Sequence, residues 1–146
     1  MLKRYKAIDL ANYIIEYANE NNKLITNLYL QKILYYLQKE ELFLTGNTLY
    51  DEDIVAWKYG PVVEEVYYKY MNFGSYPLRY VNTENKSLDI ENDIKLRINR
   101  IVDEKMKKPS WKLASDTCSE TSWLEATNNG EVLGVVIPIE LLKRTW

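Results

Sequence analysis

Side chains that could carry out chemistry are scarce in this chain. Cys118 is the only cysteine, and histidine is absent. A thiol attacks as thiolate, which a neighbouring histidine usually generates. Lys112 or Lys108 could lower the pKa of Cys118, but nothing in the sequence says that they do. A small buried or half-buried residue is the better reading. Without histidine the chain also lacks the commonest general base and metal ligand. The acidic run Asp51-Glu52-Asp53 and the pair Glu64-Glu65 could in principle hold Mg²⁺ or act as an acid/base pair. Their spacing matches neither a calcium loop nor a phosphate-cradling glycine string. Adjacent carboxylates on a helix also diverge by about 100°, so a solvated acidic face is the better reading. No catalytic residue, metal site or cofactor is expected.

Two further groups concern binding. Lys95, Arg97, Arg100, Lys105, Lys107, Lys108 and Lys112 form a basic stretch. Within it, Arg97, Arg100, Lys107 and Lys108 are the candidates for a nucleic-acid surface. Asp103 and Glu104 dilute the charge, no helix-turn-helix signature accompanies it, and a solvated helix end is the default. The aromatic group is larger, with 13 tyrosines in the chain. Tyrosine has an apolar body and a polar tip, and serves a core edge or a binding surface equally well. The candidates for partner contact are Tyr35, Tyr36, Trp57, Tyr59, Tyr67, Tyr68 and Trp123, with Gln31 and Lys32. Successive helix residues cannot both face the core, so one of each tyrosine pair points outward or to a groove. For Trp57 and Tyr67, packing between helices is an equal alternative. Gln31-Lys32 is unusual inside an apolar segment, and its polar ends bond either across the core or to a partner.

These residues must be positioned by helices. Apolar periodicity predicts a first helix over residues 7–21 and a long second one. In the second, Leu30, Ile33, Leu34 and Leu37 share a face. Asn27 or Thr26 is its N-cap, and Gly46-Asn47 stops it. Ile54-Val55 favours a short strand. Gly60 allows a sharp turn, and Pro61 reads as the first residue of a third helix, with Val62, Val66 and Tyr70 on one face. The turn formers of residues 72–77 end that helix. Residues 78–88 read as a connection with little core, with a brief extended piece near Tyr80. A fourth helix spans residues 89–108, its stripe formed by Ile90, Ile94, Ile98, Ile101 and Val102. One or two short helices follow over residues 111–127, then a turn at Asn128-Asn129-Gly130. A last short helix starts at Pro138 or Ile139 and ends on Trp146. The fold class is therefore mainly α: a compact single-domain bundle of five to six helices with at most a small β element.

Two ordered strings resemble the Panacea domain, a family of phage- and prophage-associated proteins that includes SocA-like antitoxins. They are Ile25-Thr26-Asn27-Leu28 with Leu30-Gln31-Lys32-Ile33-Leu34-Tyr35-Tyr36, and Ala56-Trp57-Lys58-Tyr59-Gly60-Pro61-Val62-Val63 with Val66-Tyr67. The resemblance covers residues 7–145, and it implies one domain over residues 1–146. Family members act as antitoxins or as adaptors that present a toxin to a protease. Related sequences often carry histidine where Cys118 stands. The departure puts any role of that histidine in question here, while Trp123 is retained.

At 146 residues the chain is long enough to bury a core. No apolar run is long enough to cross a bilayer, and the first residues lack a signal-peptide core. A cytoplasmic protein with no membrane partner is expected. The net charge of −2 argues against a dedicated nucleic-acid binder. The reading is a protein-binding antitoxin, not an enzyme, that neutralises a toxin encoded next to it. A proteolytic adaptor that also contacts a protease and a nucleic-acid-binding regulator are the alternatives.

Overall fold

The computed structural model describes residues 4–79 and 89–144. Among them are seven α-helices and one small sheet: α1 (Ala7–Glu20), α2 (Asn27–Thr45), β1 (Val55–Trp57), β2 (Gly60–Val62), α3 (Glu64–Tyr70), α4 (Asn92–Lys105), α5 (Ser110–Cys118), α6 (Thr121–Ala126), β3 (Val135–Val136) and α7 (Ile139–Arg144). The mainly α, single-domain expectation holds. The helix number exceeds five to six because residues 110–126 divide into α5 and α6, parted at Ser119-Glu120.

The domain is built round α2, which packs against α1, α3, α4, α5, α7 and β2. A helix covered on nearly every side is buried on nearly every side. Leu30, Ile33, Leu34 and Leu37 are fully buried, and so are the polar Gln31, Lys32, Gln38 and Lys39. The Thr26 hydroxyl caps the helix by accepting from the Tyr29 amide at 3.3 Å. Gly46 ends it in the left-handed conformation at φ 76°. The fourth helix buries Ile94, Ile98, Ile101 and Val102 as expected. Tyr13 and Tyr17 tie α1 to it through Asn99 and Asp103.

The sheet runs β2-β1-β3 and is antiparallel throughout. Its β1 strand was expected near Ile54, and β3 was not foreseen. Pro61 corrects the sequence reading: it lies in β2 opposite Ala56, and α3 begins only at Glu64. Proline has no amide to give a neighbouring strand, so an edge strand such as β2 accommodates it. Leu78 is a second correction. It is fully buried and its amide bonds the Ile25 carbonyl at 2.7 Å, so the connection does contribute to the core there. Tyr80 and Trp146 lie outside the described residues. Asn128, Asn129 and Gly130 all take positive φ, a tight turn as their types require.

Candidate functional site

The β1–β2 hairpin is held on α2 by a polar ladder on the helix. Val63 offers its amide to Gln31 Oε1 at 2.9 Å, and Pro61 offers its carbonyl to Lys32 Nζ at 3.1 Å. Gln31 Nε2 in turn donates to Asn27 Oδ1, and Asn27 Nδ2 donates to the Tyr67 carbonyl. Gln31 and Lys32 therefore serve the outer edge of β2 in place of a further strand. Further along α2, Gln38 holds the segment before β1, accepting from the Leu49 amide and donating to the Tyr50 carbonyl. Of the two readings of Gln31-Lys32, bonding across the core is the one seen.

Burial without a carboxylate partner lowers the Lys32 ammonium to about 7. Gly60 permits this seat. It takes φ 116°, and a Cβ there would stand 2.5 Å from Thr117 Oγ1 and 2.9 Å from Lys32 Nζ. The hairpin thus approaches α2 and α5 as closely as only glycine allows.

On the outer side of the hairpin the aromatic side chains gather. Trp57 meets Tyr67 edge-on at 4.8 Å between centroids, and Tyr68 lies 6.0 Å from Trp57. Trp57 Nε1 donates to Glu64, which fixes the indole against α3. Trp123 is buried and donates to the Trp57 carbonyl at 3.0 Å, supporting the strand from below. Tyr59 stands free at the hairpin tip, 66% exposed. Beside it lies a hollow of about 470 Å³ lined by Leu28, Trp57, Tyr59, Tyr67, Leu133 and others, with Lys32 and Gln31 beneath. A second hollow of about 530 Å³ opens on the other side, lined by Leu28, Lys58, Tyr59, Trp111, Ala114 and Cys118.

The structure thus separates the sequence candidates. Trp57, Tyr59, Tyr67 and Tyr68 come together at the hairpin, with Gln31, Lys32 and Trp123 as its supports. Tyr35 and Tyr36 lie elsewhere, where both donate hydroxyls to Glu120 at 2.6 Å. Lys39 adds a third bond to that carboxylate at 2.9 Å. Burial first, then the Glu120 charge, pushes both phenols far up. Sequence reasoning passed over Glu120 and Leu28. Glu120 carries no motif, and its partners Tyr35, Tyr36 and Lys39 lie more than 80 residues away along the chain.

The other candidates have ordinary surroundings. Arg97 pairs with Glu41, Arg100 with Glu40, and Lys108 with Asp116, while Lys107 is exposed. Lys112 also pairs with Asp116, so neither it nor Lys108 is given over to the thiol. Lys32 is the lysine that acts on Cys118. Burial raises the thiol and Lys32 pulls it part of the way back. Glu52 accepts from the Ala7 amide at 2.9 Å and so caps α1, while Asp51 pairs with Arg4. No group of three or more acidic, cysteine or histidine residues that could hold a metal occurs among the described residues. No described helix is long and apolar enough to cross a membrane.

A mainly helical domain that displays an aromatic hairpin over apolar hollows belongs to the class of binding modules. The chain belongs to the family described as antitoxin SocA-like, Panacea domain, whose model matches residues 30–128. That span runs from within α2 through α6 and contains the hairpin and every aromatic residue lining the hollows, while Asn27, Leu28, Leu133 and Gly134 of the lining fall outside it. Membership supports a phage-associated antitoxin, protein-binding role. No curated protein and no solved structure matches the chain.

Proposed function

We propose that this protein is a non-catalytic antitoxin that binds a toxin encoded next to it and neutralises it by direct occlusion, acting within the cytoplasm. The single observation that supports the contact surface is the exposed hairpin tip, with Tyr59 set between two apolar hollows. Large aromatic side chains on a fixed turn bury much area at small entropic cost, which is why they dominate protein interfaces. Trp57, Tyr67 and Tyr68 extend that surface along α3. Gln31, Lys32 and Trp123 are buried, so their part in binding is to hold the surface in shape, while Tyr35 is buried at Glu120, away from the hairpin. Tyr36 is half-buried at Glu120, away from the hairpin.

Co-expression of the chain with its genomic neighbour tests the reading. Restored growth and a co-purifying complex are expected. Neither rescue nor complex would remove the antitoxin reading. Accelerated loss of the neighbour in a reconstituted protease assay would instead favour the adaptor.

A further inference from the structure

We propose that the two hollows flanking Tyr59 receive an acidic segment of a partner protein, with one apolar or aromatic side chain seated in each. The inference rests on the protein-binding reading above and gives the partner's chemistry.

The geometry gives two seats with a common wall. Leu28, Lys58 and Tyr59 line both hollows, with Trp57 on the far side of one and Trp111 on the far side of the other. Their volumes, about 470 and 530 Å³, lie in the range of roughly 300–1,000 Å³ over which binding pockets are found. Tyr59 is 66% and Trp111 69% exposed, so each presents most of its ring to an incoming chain. A segment crossing the Tyr59 ridge would cover both rings at once and bury a side chain on each side.

Charge selects the occupant. Acidic residues outnumber basic ones in the chain, 21 against 19. Yet no carboxylate lines either hollow, whereas Lys58 lines both and Lys32 lies under the first. Lys58 is exposed and makes no ion pair among the described residues. Its ammonium lies 5.6 Å from the Tyr59 ring centroid. Lys39, Arg97, Arg100, Lys108 and Lys112 have carboxylate partners, whereas Lys95 and Lys105, like Lys58, lie over tyrosine rings. The nearest acid on α5, Asp116, is held by Lys108 and Lys112, which keep its carboxyl below the usual range. The two hollows are therefore apolar, with no acid among their lining residues and one exposed cation, Lys58, on their common wall. A partner segment with a carboxylate beside its apolar anchors complements them.

The test is a selection of random 12-residue displayed peptides on the purified full-length protein, which needs no knowledge of the toxin. Peptides of net negative charge with two apolar or aromatic positions are expected. Lys58→Glu should weaken them about tenfold at low salt, and less as salt is added. Tyr59→Ala should weaken them about 30-fold. Both positions are exposed, and unchanged melting would show that the variants fold. No selected binder, basic or uncharged winners, or binding indifferent to both variants would overturn the proposal. Such a result would leave growth rescue by the neighbouring gene to decide the antitoxin reading on its own.

Discussion

Lys32 Nζ, fully buried, donates to the carbonyl oxygen of Pro61 across 3.1 Å, and so joins the middle of α2 to the edge of the sheet. No carboxylate shares that contact, and desolvation lowers the ammonium to about 7. In the unfolded chain the same lysine has its ordinary value of 10.5. Between those values the unfolded chain binds a proton that the folded chain has released, so stability rises with pH. The slope is at most about 1.4 kcal/mol per pH unit. Above pH 9.0 the unfolded Cys118 thiol ionises while the folded one keeps its proton, which offsets the rise. Above pH 10.0 the slope reverses, as unfolded tyrosines ionise while Tyr35, Tyr36 and Tyr50 stay neutral in the fold. Urea unfolding at a series of pH values should show the rise, and Lys32→Met should flatten it. An equal rise in Lys32→Met would show that another group is responsible.

Glu120 collects the hydroxyls of Tyr35 and Tyr36 and the ammonium of Lys39, whose side chain is only 4% exposed. Removing the acceptor takes a charged partner from Tyr36 and Lys39 and leaves the Tyr35 hydroxyl to Ser122 Oγ, at 2.5 Å. Losing such a partner from buried groups costs more than the bonds themselves contribute. Glu120→Ala should therefore lose about 2–4 kcal/mol, seen as a lower urea midpoint with an unchanged slope. A midpoint equal to that of the parent chain would mean that these three groups find other acceptors at no cost.

Gly60 and Gly46 both take positive φ, but their surroundings differ. A Cβ at Gly46 would meet nothing within 4 Å, whereas at Gly60 it would meet Thr117 Oγ1 at 2.5 Å. Gly46→Ala should cost about 1 kcal/mol from backbone strain alone. Gly60→Ala adds the clash and should cost about 2–4 kcal/mol. Thermal melting of the two variants gives the comparison, and equal losses would deny the close approach of hairpin and α5.

The basic stretch of α4 spends its guanidinium groups within the chain, on Glu41 and Glu40. Arg97→Glu with Arg100→Glu should lower the melting temperature through the loss of those pairs. It should leave mobility-shift titrations on the gene's own promoter unchanged across salt concentrations. A salt-dependent shift that disappears in the double variant would revive the nucleic-acid reading.

Much of this fold is written locally in the sequence. The cap at Thr26, the stop at Gly46, the isoleucine stripe of α4 and the Asn128-Asn129-Gly130 turn each follow from a residue type and its spacing. Pro61 was harder, because proline suits a helix start and an edge strand alike, and only pairing with Ala56 separates them. The two residues of β3 are too few to show a period, and their pairing with β1 is a tertiary fact. At the site, the aromatic residues were legible as a group, since Trp57, Tyr59, Tyr67 and Tyr68 all lie close to the hairpin in sequence. Which tyrosines stay inside was not. Tyr35 and Tyr50 are buried by partners that lie far along the chain or that no motif marks, Glu120 for one and the Leu34 carbonyl for the other. The ladder from Asn27 to Lys32 could be suspected from polar residues in an apolar run, but not its target.

Occlusion by contact, with no bond made or broken, is the central claim, and a titration of the purified protein with the product of the adjacent gene tests it most directly. A saturable complex is expected, weakened about 30-fold by Tyr59→Ala and unaffected by Cys118→Ala. No complex, or catalytic turnover that is lost with the Cys118 thiol, would contradict it.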